Sequence, residues 1–350
     1  MGLIELLQKT VEMGGSDLFV IPGSVPSVKV QGVMQPISEE RLMPEDTQKL
    51  VEEMYELAKR DIRLMDANGD DDFSFAVMNL SRFRCNAYRQ RGSIAAACRV
   101  VSFGLPDPAT LSIPPVVMNL VEKQSGMILV TGTTGSGKST TLACMIDRIN
   151  STRHNHIVTI EDPIEYLHRH KLSLVSQREV PNDAINFPSA LRAALRQAPD
   201  VVLLGEMRDR ETIQTAITAA ETGHLLLSSM HTMGAANTVD RIIDTFPAGQ
   251  QAQVRMQLSM VLHAVVSQRL LPALDGGRIP VFEVMVVNPA IQNLIRDGRT
   301  HQMDNAIMAA HGQTMLALDN ELMRLVKEKK IDRQTALINA SNPDALAKRI

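Results

Sequence analysis

The 350-residue chain has no tryptophan, only three cysteines, and aromatic residues make up 3% of it. Cys85, Cys98 and Cys144 are too few for a four-cysteine zinc site and too widely spaced for a disulfide framework, which points to a reducing compartment. With rings so scarce, the core must be filled by aliphatic side chains and 20 methionines. No run of about 18 apolar residues occurs, the length a membrane-spanning helix needs. The start, Met1-Gly2-Leu3-Ile4-Glu5, lacks the basic region of a secretory signal, and Leu6 replaces the Ser or Thr of a myristoylation site, so no targeting segment is expected. Lys and Arg total 36 against 39 Asp and Glu, a net charge of -3 that argues against non-specific coating of nucleic acid.

What the chain does have is an ordinary globular composition, 44% hydrophobic and 21% charged, and a length that favours two domains over one. Leu3, Leu6, Leu7 and Val11 recur at helical spacing, ended by Gly14-Gly15. Strand-like stretches at 17–21, 28–30, 73–77, 82–88 and 94–101, with a helix at 44–59, predict a small α+β domain over 1–102. Pro106, Pro108, Pro114 and Pro115 fall in 103–115, where no regular element can run through, so this segment reads as a linker. Over 116–288, apolar runs at 127–131, 156–160, 201–204 and 225–229 alternate with helical patterns at 140–150 and 211–221. That alternation predicts an α/β domain with a mostly parallel sheet. The tail, 289–350, reads as a helical subdomain.

Directly after the run at 127–131 comes Gly132-Thr133-Thr134-Gly135-Ser136-Gly137-Lys138-Ser139, which satisfies the phosphate-loop pattern GxxxxGK[ST] and leads into a helix at Thr140. Glycines let backbone amides wrap phosphate, the helix amino end adds a favourable dipole, Lys138 reaches the β and γ phosphates, and Ser139 holds Mg²⁺. A chance match to this pattern arises in roughly one chain in a hundred of this length, and the strand and helix flanks reduce that further. Nucleoside triphosphate binding is therefore the expected chemistry.

Ligands of such sheets sit beyond the carboxyl ends of the strands. Glu161 follows one apolar run, and Gly205-Glu206 follows another. Gly205 stands where a metal-binding Asp is usual, so Glu206 would meet Mg²⁺ directly or through water. His224 and His231 bracket the run 225–230 and cannot share one metal ion as helix neighbours would. Backbone-satisfied histidines are the ordinary reading; a sensor of the γ-phosphate is the sharper one.

From Phe73 through Pro106 there is no Asp or Glu, while Arg82, Arg84, Arg89, Arg91 and Arg99 fall in that interval. Arg82 and Arg84 share a strand face, and Gly92 can turn the chain into the strand carrying Arg99. Within this segment the guanidinium groups lack acidic partners. Either a nucleic-acid backbone or the triphosphate of a neighbouring subunit would supply the anion; Phe83 and Tyr88 are too few for a single-strand stacking platform, which favours the nucleotide.

Taken together these residues resemble the type IV pilus retraction ATPases, the PilT family of secretion-type hexameric motors, over nearly the whole chain. Gly132 to Ser139 is similar to the family's Walker A, Thr159-Ile160-Glu161-Asp162-Pro163-Ile164-Glu165-Tyr166 to its Asp box, Gly205-Glu206-Met207-Arg208-Asp209 to its Walker B, and Thr222-Gly223-His224 through His231-Thr232 to its His box. Ala290-Ile291-Gln292-Asn293-Leu294-Ile295-Arg296-Asp297 resembles the AIRNLIRE segment tied to retraction, with Gln292 for Arg and Asp297 for Glu. Ser16-Asp17-Leu18-Phe19 is similar to a family SDLHL run, with Phe19 for His.

The resemblance implies a PAS-like amino-terminal domain before a RecA-like P-loop motor domain, in a homo-hexamer with nucleotide between domains and subunits. It implies ATP as substrate with Mg²⁺, and water activation shared by Glu206 and Glu161. Arg84 and Arg99 would act in trans, with Arg82 the alternative by strand register. His231 joins the catalytic set, and Thr140 and His224 the nucleotide contacts. The expected setting is cytoplasmic, peripheral to the inner face of the cell membrane, with a pilus inner-membrane platform protein as partner, no nucleic acid and no membrane insertion. An assembly or type II secretion ATPase would bring a tetracysteine insert, absent here. A RecA-like DNA motor is the more distant alternative, and a non-hydrolysing nucleotide sensor is left open by Gly205.

Overall fold

In the computed structural model, which describes residues 1–101, 104–310 and 314–350, burial alternates along the long strands of the amino-terminal sheet, 70–77 and 81–90, and is continuous along the central strands of the second sheet, 126–131, 201–204 and 225–230. The described residues fall into two compact units, Met1–Gly104 with Glu165–Leu167, and Leu105–Ile164 with His168–Ile350. The boundary expected at 102 and the start of the linker at 103 lie outside the described residues.

The first unit runs α1 (Leu3–Glu12), β1 (Asp17–Val20), β2 (Ser27–Val30), β3 (Val33–Pro36), α2 (Pro44–Ala58), α3 (Arg63–Asn68), β4 (Asp70–Val77), β5 (Ser81–Gln90) and β6 (Ser93–Val101). Its sheet is antiparallel in the order β3-β2-β1-β6-β5-β4. Phe73 and Phe75 of β4, Phe83, Cys85 and Ala87 of β5, and Ile94, Ala96 and Cys98 of β6 point to one face. There they meet Leu50, Val51 and Met54 of α2 and Leu3, Leu6 and Leu7 of α1. Cys85 and Cys98 face each other across the strands as free, fully buried thiols, and burial pushes the Cys85 thiol well above its ordinary pKa, so the pair behaves as small hydrophobes. The opposite face of β5 carries Arg82 and Arg84.

The second unit continues with α4 (Pro115–Asn119), β7 (Gly126–Thr131), α5 (Lys138–Thr152), β8 (His156–Glu161), β9 (Leu174–Glu179), α6 (Phe187–Ala194), β10 (Val201–Leu204) and α7 (Arg210–Glu221). Then follow β11 (Leu225–Met230), α8 (Ala235–Asp244), α9 (Ala248–Val261), β12 (Leu262–Pro272), β13 (Arg278–Val286), α10 (Pro289–Asp297), α11 (Met303–Ala309), α12 (Leu318–Lys327), α13 (Arg333–Asn339) and α14 (Pro343–Ala347). The sheet order is β13-β12-β7-β11-β10-β8-β9, parallel throughout except for the β12–β13 pair.

The apolar runs are continuous because both faces of this sheet are covered. Met127 and Leu129 of β7 enter one core with Val158, Val202 and Leu226, while Ile128 and Val130 enter the other with Ile157, Val201 and Leu225. Three strands are not evident from sequence. In β9 exposed Leu174 and Ser176 flank buried Val175 at the sheet edge, and β12 follows α9 with no turn residue between Val261 and Leu262. β13 pairs back antiparallel, outside the βα alternation. The tail is also not wholly helical, because Leu316 bridges to Val284, and Ile291, Ile295, Met303 and Ile307 belong to the same core as the sheet.

One buried charge stands out in the second unit. Glu283 of β13, 7% exposed, accepts a 2.7 Å hydrogen bond from the Ala235 amide and so caps α8, whose N-cap residue is Gly234. Burial raises the Glu283 pKa, with Asp304 and Asp319 adding to the rise, while the Ala235 amide and Arg269 oppose it. The folded chain therefore holds this proton more tightly than the unfolded chain, and stability falls as pH rises from the ordinary 4.5 through the folded value. Glu283→Gln keeps the acceptor and removes the charge. Its melting temperature relative to wild type should rise between pH 5 and pH 8, measured by thermal melts across that interval; a difference independent of pH contradicts the assignment.

Candidate functional site

Parallel pairing in register brings four strand ends to one edge. Thr131 of β7 lies opposite Met230 of β11, Leu204 of β10 opposite Ser228 of β11, and Leu204 also opposite Ile160 of β8. The next residues along each chain are Gly132 to Ser139, His231, Gly205-Glu206 and Glu161. Residues far apart in sequence thus leave the sheet at the same edge, as expected of a parallel α/β site.

The glycine-rich loop is wrapped tightly. Gly132, Gly135 and Gly137 have φ of 145°, 77° and 91°. A Cβ on Gly132 would sit 2.2 Å from the Gln268 carbonyl oxygen and 2.7 Å from Ser136 Oγ, so loop and β12 touch through backbone. Thr141 Oγ1 donates to Gln268 Oε1 at 2.7 Å, fastening the first turn of α5 to the same strand. Lys138, 8% exposed, donates from Nζ to the carbonyl oxygens of Gly132 at 3.1 Å and Thr133 at 3.0 Å, curling back over the loop. Ser136 Oγ is buried with no hydrogen-bond partner among the described residues, a donor directed at the loop interior. Thr133, Thr134 and Gly135 are exposed at the tip, and Ser139 and Thr140 are half-buried on α5.

Beside the loop lies a cavity of about 480 Å³. Its wall includes Ser136, Gly137 and Thr140, Leu111 and Ile113, and Arg278, Ile279 and Lys330. The segment read as a linker thus contributes to a binding-sized hollow, a role that its prolines conceal.

Glu206 and Glu161 are held differently. Glu206 pairs through Oε1 with Arg208 Nε at 2.7 Å and through Oε2 with His231 Nε2 at 3.3 Å. Glu161 Oε1 accepts from Thr159 Oγ1 at 2.6 Å and from Gln177 Nε2 at 3.4 Å. Gly205 packs closely between these acids: a Cβ there would approach Glu161 Cα and the Ile160 carbonyl at 3.3 Å, a tight contact that a small shift would relieve, and the Gly205 amide donates to Ile160 at 2.8 Å. Asp209 caps α7 through the Thr212 amide and hydroxyl at 2.9 and 2.7 Å; burial opposes ionisation, but these hydrogen bonds outweigh it and lower its pKa. Gln177 and Gln268 lie outside the motifs, and Arg208 and Thr159 lie within them but carry no expected role. For Arg208 the available signal was an opposite charge two positions from Glu206 in a loop.

His224 is not brought to this edge. It precedes β11, its ring Nδ1 lies 3.0 Å from the Ala219 carbonyl, and it lines a separate polar hollow with Arg153, Asn155 and Asp200. The six residues of β11 put it about 20 Å from the strand's other end, so within one chain His224 lies at the amino end of the sheet, away from the phosphate loop.

The arginine hairpin forms as expected, with Arg91 and Gly92 both at positive φ in a two-residue turn between Gln90 and Ser93. Arg84 and Arg99 are direct cross-strand neighbours on β5 and β6. The expectation that their partners are missing fails in part. Arg99 Nε pairs with Asp17 on β1 at 2.9 Å, and Arg89 pairs with Asp66 of α3. The acids come from elements outside the acid-free segment. Arg84 makes no ion pair among the described residues and adjoins Arg99, a like-charge neighbour.

The loop glycines provide a direct test of this geometry. Gly132→Ala combines a left-handed-side φ with backbone overlap and should cost about 3 kcal/mol or more, lowering the melting temperature and abolishing nucleotide uptake. Gly135→Ala meets open space and should cost only the conformational penalty of about 1–2 kcal/mol. Equal effects in thermal melts and nucleotide titrations would contradict this account.

The site sits on a chain with full-length relatives. The family model described as Type II/IV secretion system protein matches residues 110–277. The chain is 42% identical to the type IV pilus retraction ATPase PilT of Pseudomonas aeruginosa, over 98% of this chain and 99% of that protein. It is 41% identical to a twitching motility protein of Neisseria gonorrhoeae over 99% and 92%. A crystal structure of the pilus retraction motor PilT with bound ADP superposes with a TM-score of 0.91 at 43% identity, covering 99% of each chain. With the loop, the two glutamates and His231 on one sheet edge and this likeness along the whole chain, the protein belongs to the PilT family of P-loop ATPases.

Proposed function

We propose that the protein is a hexameric motor that hydrolyses ATP to drive type IV pilus retraction, and with it twitching motility, working at the cytoplasmic face against an inner-membrane platform protein. The observation that carries this reading is the convergence of the phosphate loop, Glu161, Glu206 and His231 on one edge of a sheet in a chain that matches retraction ATPases end to end.

In this reading the loop amides from Gly132 to Ser139, with Thr140, grip the phosphates, Lys138 turns its ammonium from loop carbonyls to the β and γ oxygens, and Ser136 supplies its unused hydroxyl. Ser139 and Glu206 offer a hydroxyl and a carboxylate, oxygen donors that suit Mg²⁺ completed by phosphate and water, and the ion when bound neutralises phosphate charge. Glu206 is the better placed of the two acids to accept the proton of the attacking water, since His231 and Arg208 orient it; Glu161, held by Thr159 and Gln177, orders the surrounding water. Arg84 and Arg99 reach the nucleotide of a neighbouring protomer, where positive charge stabilises the developing negative charge on the transferred phosphoryl group.

On α10, Ile291 and Ile295 are fully buried while Asn293, Arg296 and Asp297 are exposed. The apolar spacing of this segment therefore serves the core, and its polar side is the part offered to the platform protein. Among the described residues no helix is long and apolar enough to cross a membrane, which fits attachment through a partner.

Four outcomes follow. Lys138→Ala should abolish binding of a labelled ATP analogue, read by titration. Glu206→Gln should keep binding and lower turnover by about a hundredfold or more. Turnover per protomer should rise steeply with protein concentration as rings assemble; full activity in a demonstrated monomer contradicts the trans-arginine assignment. In cells, deletion should leave surplus surface pili and no twitching.

A further inference from the structure

The geometry points to Ser229 as the positioning residue that sets the direction of Glu206, an inference that rests on the proposed ATP hydrolysis. β10 ends at Leu204, so the peptides around Glu206 lie beyond the ladder and need other partners. On the β8 side, the Gly205 amide donates to Ile160. On the β11 side, a single residue provides both remaining contacts. Ser229 Oγ donates to the Gly205 carbonyl at 2.6 Å, and the Ser229 carbonyl accepts from the Met207 amide at 3.0 Å. These two bonds bracket Glu206, one on the peptide before it and one on the peptide after it.

The clamp also links two catalytic candidates. Ser229 lies two residues before His231 on the same strand end, and His231 Nε2 is 3.3 Å from Glu206 Oε2. Backbone and side chain of Glu206 are therefore referred to one short stretch of β11. Gly205 has no Cβ to restrain its peptide, which makes the hydroxyl the main side-chain restraint on that carbonyl. Ser229 is 6% exposed, so water does not readily replace the lost donor. Its neighbour Ser228 points to the other face, and its hydroxyl is buried without a partner among the described residues. The pair provides an internal control: two adjacent buried serine hydroxyls, one holding the turn and one not.

Ser229 touches neither nucleotide nor water in this assignment; it acts through Glu206. Removing its hydroxyl frees the Gly205–Glu206 peptide to rotate, and displacement of the carboxylate by about 1 Å costs up to a hundredfold in rate. Nucleotide affinity, set by the phosphate loop, is untouched.

The test compares Ser229→Ala, Ser229→Thr and Ser228→Ala with wild type and Glu206→Gln in the full-length assembled protein, reading kcat for ATP, affinity for a labelled ATP analogue, and melting temperature. Ser229→Ala should lower kcat by at least tenfold with affinity within twofold, Ser229→Thr should restore kcat to within threefold of wild type, and Ser228→Ala should leave it within twofold. Should Ser229→Ala fail to fold, Ser229→Cys, a weaker donor of similar size, should give an intermediate kcat. Wild-type kcat in Ser229→Ala or in Ser229→Cys, a loss that threonine does not rescue, or a parallel loss of affinity overturns the inference. If Ser229→Ala is fully active while Glu206→Gln is inert, only this inference falls; if wild type itself turns over no ATP, the proposed function falls and takes the inference with it.

Discussion

Parallel register across β8, β10, β11 and β7 is the constraint on which everything else depends. Because Ile160, Leu204 and Ser228 are aligned, and Met230 is aligned with Thr131, the chain leaves the sheet four times at the same edge, and each departure delivers a polar residue. A slip of one residue in any strand would turn its side chains to the other face and separate the acids from the loop. The register is held by two separate cores, one on each face, into which successive residues of every strand alternate.

Close backbone approach is the second theme at this edge. Gly132 lies against the Gln268 carbonyl and Gly205 against Ile160 and Glu161. At Gly132 a neighbouring backbone occupies the space a Cβ would need, whereas at Gly205 the approach is tight but less severe. Gly205 stands in a place usual for an aspartate and is closely packed, and the carboxylate lies one residue on, at Glu206. Arg208 and His231 on one side, and Ser229 beneath, hold it there.

The first unit shows how incomplete a local charge count can be. An interval without a single acid suggests bare guanidinium groups, yet sheet formation places Asp17 beside Arg99, and α3 brings Asp66 to Arg89. Arg84 keeps no such partner among the described residues and sits directly across from Arg99. Two adjacent cations with one nearby carboxylate leave a net positive spot.

The phosphate loop, the arginine hairpin with its turn at Gly92, and the four parallel strands with continuous apolar runs were legible in the chain alone, because each is encoded within a few consecutive residues. β9, β12 and β13 were not. Their stability comes from partners distant in sequence, and β12 begins where α9 stops, with no breaker to mark the change. Local order also decided that Glu161 and Glu206 follow strands; it could not decide that His231 joins them while His224, bracketing the same strand, lies at the far end. That separation, the Asp17–Arg99 pair and the Ser229 clamp arise from strand neighbours chosen by packing on two faces, and packing is a property of the folded whole.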